Sequence, residues 1–215
     1  MKTPTYSVIV PIRNESESLP QLFDELSVAL RGRKYEVIAV DDASGHVDHF
    51  GKWEALRTGI AYAAGSIIIT MDSDLQDDPR ELSKLLAKLN DGYDVVSGWR
   101  KNRQDPAYKV MLTKFANVIV SRLTGYPFHD FSSPMKVYRK EALEELPKEG
   151  SLLRYSYLLS HQLGLRIAEM PVSHRPRLYG QSKFGVVKYF RIFYDLVLIF
   201  LLFSGSGRLN AHRKS

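Results

Sequence analysis

The sequence predicts an α/β fold in which a mostly parallel sheet is flanked by helices. Three observations predict it. Short β-branched apolar runs alternate with longer segments whose apolar residues recur at three- and four-residue spacing. The runs are nearly continuous in apolar residues, as strands buried on both faces are. Several of them end in charged residues, and parallel sheets bind ligands beyond the carboxyl ends of their strands.

The elements follow in order. "YSVIVPI" (6–12) is a short β-branched strand ending near Pro11. "SESLPQLFDELSVAL" (16–30) is a helix, with Leu19, Leu22, Phe23, Leu26 and Leu30 at helical spacing and Ser16 or Ser18 able to cap it. "YEVIAVDD" (35–42) is a second buried strand that ends in acid. "KWEALRTGIAYAAG" (52–65) is a helix stopped by Gly65, and "SIIITMD" (66–72) is another buried strand. "DPRELSKLLAKLNDG" (78–92) is a helix with Pro79 in its first turn and Gly92 past its end. Asp77 and Asp78 precede it and are expected to cap it. "YDVVSGWR" (93–100) is a further strand.

The second half is less regular. "PAYKVMLTKFANVIVSRLTG" (106–125) is an amphipathic helix closed by Gly125. "PMKVYR" (134–139) and "LRIAEMPV" (165–172) are strands, with a short helix, "KEALEEL" (140–146), between them. "HRPRLYGQSKFG" (174–185) is a basic loop punctuated by Pro and Gly. There is no internal repeat and no low-complexity linker.

"VVKYFRIFYDLVLIFLLF" (186–203) is strongly apolar but carries Lys188, Arg191 and Asp195. A spanning helix needs roughly 20 apolar residues, and the uninterrupted run here is only Leu196–Phe203. It is an interfacial helix, a buried helix or the start of a membrane segment. The basic tail after it suits an anionic membrane surface. The expected division is a domain at 1–185 and an amphipathic, membrane-interfacial C-terminal helix with its tail at 186–215.

The chain has 215 residues and 44% hydrophobic residues, enough for a sizeable core. It has no cysteine, which excludes disulfides, thiolate metal sites and thiol nucleophiles. The N-terminus enters its first strand at once, so no signal peptide is expected. Residues 1–99 hold 10 Lys+Arg and 16 Asp+Glu, net −6; residues 100–215 hold 20 and 8, net +12. An acidic half beside a basic half suggests a cation site facing an anion site, although a basic total alone is often ordinary surface charge.

The expected strand ends carry Arg13, Asn14 and Glu15; Asp41 and Asp42; Asp72 and Asp74; Trp99 and Arg100. Each has a bland explanation, because Asp is common in turns. Together they form one rim. Asp72-Ser73-Asp74 puts two carboxylates on alternate residues just past a strand, with Gln76 two residues on. Hard oxygen ligands of this kind suit Mg²⁺ or Mn²⁺, which keep waters and bridge to substrate phosphates. A divalent ion there would neutralise a leaving diphosphate. Arg100, Lys101 and Arg103, and then Arg175, Arg177 and Lys183, supply basic clusters suited to phosphate. For Lys101 a solvated surface position is the better reading. Nucleic acid is not an expected partner, since aromatic residues do not interleave with the basic ones as stacking platforms require.

"SVIVPIRNESESL", "VIAVDDAS", "MDSDLQDDP", "VSGWRKNRQDP", "HDF", "MKVYRKEAL" and "HRPRLYGQSKFG" occur in the order seen in family 2, GT-A fold glycosyltransferases. The sequence resembles the polyprenyl-phosphate branch of that family, of the dolichol-phosphate mannose synthase and bactoprenol glucosyltransferase type, along nearly its whole length. The resemblance implies a GT-A, Rossmann-like fold and a metal-dependent inverting transfer from a UDP- or GDP-hexose to undecaprenyl or dolichyl phosphate. It implies that Pro11, Arg13, Glu15, Val40, Asp42, Asp72, Ser73, Asp74, Arg177 and Lys183 hold the nucleotide-sugar. Asp74 and Gln76 would hold Mg²⁺ or Mn²⁺. Arg100, Lys114 and Ser182 would meet the acceptor phosphate, and Asp74, Arg100 and Asp130 would be catalytic, with Asp130 orienting the acceptor. Phe50-Gly51-Lys52 and Ala55-Leu56-Arg57 look like the family's segment beside the nucleotide. His129, His161 and His174 are expected to make structural hydrogen bonds. The implied location is the cytoplasmic face of a membrane, with an oligomer left open.

The chain departs from the family pattern in two places. Only "ASGHVDHFGK" follows Asp42, where relatives have a helix and a strand, so the sheet is expected to be one strand short. "FSSP" (131–134) replaces a stretch where relatives often carry glycine. Two other readings stay open: a glycosyltransferase with a non-lipid acceptor, and a non-catalytic nucleotide-sugar-binding domain.

Overall fold

The structure, a computed structural model, describes residues 4–13, 15, 17–41, 51–147 and 150–177. The chain forms two compact units, Met1–Asp105 with Asp130–Gly180, and Pro106–His129 with Gln181–Ser215. The expected boundary at 185/186 and the helix expected over 186–203 lie outside the described residues.

In the first unit, strands β1 (Tyr6–Ile12), β2 (Tyr35–Asp41), β3 (Ile67–Thr70), β4 (Val95–Arg100), β5 (Lys136–Arg139) and β6 (Ile167–Val172) form one sheet in the order β2-β1-β3-β5-β4-β6. β1 runs parallel to β2 and β3, and β4 runs parallel to β6. β5 is antiparallel to both β3 and β4. Five strands therefore share one direction, and their carboxyl ends form one rim, as expected. The chain passes from β1 outward to β2 and returns to β3 on the other side of β1. The reversal makes a crevice at the ends of β1 and β3, where open sheets of this kind place ligands.

Helices α1 (Leu19–Ala29) and α3 (Leu82–Asn90) cover one face. Their stripes, Leu22, Leu26 and Leu30, then Leu82, Leu85, Leu86 and Leu89, meet Val8, Val10, Ile69, Val96 and Val137 from the strands. Burying each such side chain stabilises by about 1.5–3 kcal/mol. The alternate strand residues, Ile9, Ile68 and Val95, are equally buried on the opposite side, where α2 (Gly51–Tyr62) packs against β1 and β2. α2 comes close because residue 59 is glycine: a Cβ there would stand 2.4 Å from the Ile9 Cγ2 methyl.

Three expectations need correction. β2 is an edge strand among the described residues, with Ala39 and Asp41 exposed, not a buried one. Ser18 occupies the N-cap position of α1 but caps nothing with its side chain; its hydroxyl donates to the Glu15 carbonyl at 2.7 Å. Pro79–Glu81 form a 3-10 turn before α3, capped by Asp78 alone, whose Oδ1 accepts the Arg80 N–H at 3.0 Å.

In the second unit, α4 (Ala107–Thr124) ends at Gly125, which takes the left-handed conformation with φ 72°. Tyr108, Met111, Leu112, Phe115 and Val118 on α4 are exposed. Among the described residues, no helix is long and apolar enough to cross a membrane.

Candidate active site

β3 delivers its carboxylates to the rim through an unusual turn. Leu75, between Asp74 and Gln76, has φ 59°, a left-handed conformation that costs an ordinary residue about 1–3 kcal/mol. Full burial of its side chain in the core offsets that cost. Asp74 Oδ1 accepts the Gln76 N–H across the turn at 3.2 Å.

The acidic residues crowd together here. Asp74 is 6% exposed. Burial raises its pKa to about 6, and Asp72 adds to the rise while Arg177 opposes it. Arg177 Nη2 hydrogen-bonds Asp74 Oδ2 and reaches Gln76 Oε1 at 3.4 Å, while its Nη1 is 3.4 Å from Glu15 Oε1. Ser73 links the ends of β1 and β3: its hydroxyl lies 3.0 Å from the Pro11 carbonyl and against the Glu15 carboxylate. Asp72 pairs with Lys52 of α2 at 2.5 Å. The Asp74 and Glu15 carboxylates and the Gln76 carboxamide are thus gathered around one guanidinium, with the Asp72 carboxylate beside Asp74, in an arrangement that would be repulsive without a cation.

That arrangement tests the expected metal. Among the described residues, no group of three or more His, Cys, Asp or Glu side chains converges on one point. A closed protein cage is therefore not what these residues build. Asp74 and Gln76 supply two oxygen donors beside a third, Asp72, which fits a hard ion that completes its sphere with water and substrate oxygens. The Arg177 guanidinium already satisfies Asp74 and Gln76 in the way a positive charge would.

Asp77 was expected to cap a helix and does not. It is 2% exposed, and neither carboxylate oxygen has a hydrogen-bond partner among the described residues. Burial raises its pKa to about 7, partly opposed by Arg100.

At the end of β4, Arg100 and Asp130 form a buried bidentate pair, Nε to Oδ2 at 2.7 Å and Nη2 to Oδ1 at 3.0 Å. Burial alone would raise the Asp130 pKa, but the Arg100 guanidinium holds it lowered. Burial likewise works against the Arg100 charge, and Asp130 more than restores it. In this geometry Asp130 positions Arg100. Breaking a buried pair of this kind from one side costs about 3–5 kcal/mol. His174 accepts the Gln104 N–H on Nδ1 at 3.2 Å, and burial lowers its pKa to about 4. Arg175 bridges Glu25 at 2.8 Å and Asp78 at 2.7 Å, and Arg103 pairs with Asp105 at 2.8 Å. Lys101 is exposed with its ammonium over the Trp99 ring.

The structure brings Pro11, Glu15, Asp72, Ser73, Asp74, Gln76 and Arg177 together. Val40 pairs with Pro11 across β2 and β1, and Arg13 is exposed past the end of β1. Lys114 lies on α4 in the second unit. Asp42, Ser182 and Lys183 lie outside the described residues. Sequence reasoning missed Lys52 as the partner of Asp72, and Lys136 and Ser133, which line a cleft beside that pair.

Residues 46–147 match the sequence profile of Glycosyl transferase family 2. The chain is 31% identical to an undecaprenyl-phosphate 4-deoxy-4-formamido-L-arabinose transferase of Klebsiella pneumoniae, over 89% of this chain and 66% of the relative. The same enzyme from a second strain of that species matches equally well. The chain thus spans just under two thirds of the length of these curated relatives. Among solved structures, glucosyl-3-phosphoglycerate synthase from Mycobacterium tuberculosis, in complex with Mn²⁺, UDP-glucose and phosphoglyceric acid, superposes with a TM-score of 0.70. That match covers 94% of this chain and 80% of the other at 19% identity. A likeness at that identity establishes a shared fold, the α/β architecture expected from the sequence.

Proposed function

The chain belongs to glycosyl transferase family 2, and from that premise we propose that it transfers a sugar from a nucleotide-sugar to a polyprenyl phosphate. The observation that carries the proposal is the gathering of Asp74, Gln76 and Glu15 around Arg177 at the crevice between β1 and β3, with Asp72 beside Asp74 and paired to Lys52. A site that crowds carboxylates beside an arginine is suited to a ligand made of phosphates and a cation. The Klebsiella relatives, whose name gives undecaprenyl phosphate as acceptor, favour the lipid acceptor over a soluble one.

In the proposed reaction, a phosphate oxygen of the acceptor attacks the anomeric carbon of the donor sugar. The bond from that carbon to the diphosphate breaks, and the electron pair leaves with the nucleoside diphosphate, inverting the configuration. A phosphate is already anionic near neutral pH, so no strong general base is required. This agrees with an Asp130 held by Arg100 rather than free to take a proton. Mg²⁺ or Mn²⁺ held by Asp74 and Gln76 would supply neutralisation of the leaving diphosphate. Glu15, Ser73 and Pro11 line the nucleotide side of the crevice. Arg177 gives up Asp74 to the donor and pairs with its phosphates instead, with Lys183 assisting. Arg100, fixed by Asp130, is the phosphate ligand on the β4 side, and Lys114 and Ser182 are proposed as further ligands of the acceptor phosphate. Work at the cytoplasmic face of a membrane is part of the proposal, supported by the exposed apolar residues of α4 and by the apolar 186–203 segment.

Calorimetric titration with UDP-glucose and GDP-mannose, each with and without Mn²⁺, tests the donor site. Metal-dependent binding of one donor is expected, and transfer to undecaprenyl phosphate in detergent micelles then tests the acceptor. A chain that binds neither nucleotide under any condition would overturn the proposal.

A further inference from the structure

The segment that carries Arg177 is fastened to the Asp74–Gln76 turn along its length. His174 forms an antiparallel bridge with Asp77. The Arg175 N–H donates to the Gln76 carbonyl at 2.8 Å, and the Arg175 carbonyl accepts from Gln76 Nε2 at 3.4 Å. Arg177 then reaches Asp74 and Gln76 Oε1. The Arg175 side chain joins a second pair of elements. Its Nη1 donates to both carboxylate oxygens of Glu25 on α1, at 3.0 and 2.8 Å, and its Nη2 stands 2.7 Å from Asp78 Oδ1. Arg175 belongs to a cluster whose composition suits phosphate, yet its guanidinium is engaged by two carboxylates, and the proposed reaction gives it no part. Neither carboxylate depends on Arg175 for a partner. Glu25 Oε1 also accepts from Gln21 Nε2 at 3.0 Å, and Asp78 is also paired with Arg80 at 2.6 Å. What Arg175 adds is a link from α1 and the capping residue of the 3-10 turn to the backbone that faces Gln76.

Gln76 is one of the two residues proposed to hold the divalent ion, and only its oxygen can do so. A carboxamide has an acceptor oxygen and a donor nitrogen of nearly the same shape, and its neighbours decide which end faces where. Here the Arg177 guanidinium, which only donates, faces Oε1, and the Arg175 carbonyl, which only accepts, faces Nε2. When Arg177 leaves for the diphosphate, the Arg175 carbonyl still holds the amide. We propose that Arg175 is a positioning residue: anchored to Glu25 and Asp78, it keeps its carbonyl on Gln76 Nε2 and so presents Gln76 Oε1 to the ion. The inference rests on the proposed function and adds to it the residue that aligns a metal ligand.

The test titrates wild type, Arg175→Met, Gln76→Ala and the double variant with UDP and GDP, each in EDTA and in Mn²⁺, well below Tm. The readout is the factor by which Mn²⁺ raises the affinity for the diphosphate that binds. Arg175→Met should leave the affinity in EDTA unchanged and lower the Mn²⁺ factor by about tenfold or more, as loss of an outer partner of a metal ligand does. Gln76→Ala should lower it at least as much, and the double variant no further, because Arg175 acts through Gln76. A merely structural role would lower Tm and leave the Mn²⁺ factor in place. If Arg175→Met does not fold, Glu25→Gln decides: it loosens the same anchor and should lower the factor about two- to fivefold, the range of one partly exposed ion pair. An unchanged factor in the Arg175 or Glu25 variant would overturn the inference, as would losses from Arg175→Met and Gln76→Ala that add in the double variant. A wild type that binds a diphosphate no better with Mn²⁺ would also overturn it, and in each of these cases the nucleotide site stands. A wild type that binds neither diphosphate would instead overturn the proposed function on which it rests.

Discussion

Asp77 bears directly on stability. Its carboxylate is buried without a hydrogen-bond partner among the described residues, and burial raises its pKa to about 7. In the unfolded chain it titrates near 3.9. Between about pH 4 and pH 7 the folded state therefore holds a proton that the unfolded state has released, and stability falls as pH rises through that window. Asp77→Asn removes the titration. The variant should be more stable than wild type at pH 8, by up to about 4 kcal/mol if the whole shift is realised, and nearly equal to it at pH 4. Urea unfolding at the two pH values in EDTA checks this; parallel pH profiles would refute it. Asp74 makes a different prediction, because its role is in binding. Asp74→Asn keeps the shape of the turn but removes a charge. Mn²⁺-dependent donor affinity should drop by about 100-fold or more, while Tm changes little. The two aspartates show what can and cannot be read from a sequence. The place of Asp72 and Asp74 on the rim was legible because they follow an apolar run and fall in line with other charged strand ends. Asp77 looked like a cap, because a cap and a buried carboxylate share the same local pattern and differ only in tertiary surroundings. Lys136 was hidden for the same reason, since a lysine in "MKVYR" resembles the wet side of a strand. Only the burial of successive residues, Lys136, Val137 and Tyr138, shows that both faces of β5 are covered.

At the scale of elements, the parallel strands and the helices between them were legible because burial on both faces leaves nothing but apolar residues, and because leucines at helical spacing mark α1 and α3. β2 misled, since "YEVIAVDD" has the composition of a central strand yet lies at the edge among the described residues; strand order is set by pairing across the chain and not by local composition. The antiparallel direction of β5 was equally invisible. α2 depends on a single glycine for its seat on the sheet. Gly59→Ala would drive a Cβ to 2.4 Å from Ile9 Cγ2, a stiff β-branched side chain that is fully buried. The gain in helix propensity, about 1 kcal/mol, matches only the low end of the cost of overpacking, about 1–3 kcal/mol. The variant should be less stable by up to about 2 kcal/mol in urea. Because α2 carries Lys52, which engages Asp72, it should also bind the donor more weakly. A variant as stable as wild type would mean that α2 can move away from β1 without loss.

For the whole molecule the decisive quantity is the uneven charge. The first 99 residues carry net −6 and the remainder net +12. The acidic half holds the carboxylate crevice, and the basic half holds α4 with its exposed Met111 and Phe115 and its Lys109 and Lys114. A polybasic surface gains about 1 kcal/mol per Lys or Arg at an anionic membrane, and that gain decays within a Debye length, about 10 Å at 0.1 M salt. Apolar insertion does not decay with salt. The two contributions can therefore be separated. The full chain should sediment with vesicles containing phosphatidylglycerol at 50 mM salt and much less with neutral phosphatidylcholine vesicles. At 500 mM salt the anionic preference should shrink while a residual, charge-independent fraction persists. Met111→Glu with Phe115→Glu should remove part of that residual fraction while leaving nucleotide affinity unchanged. If the double variant sediments like wild type at both salt concentrations, α4 does not contact the bilayer, and the lipid acceptor would have to be presented by residues 178–215. If neither vesicle retains the wild-type chain, the acceptor reaches the site without the protein resting on a membrane, which would favour a soluble acceptor over a polyprenyl phosphate.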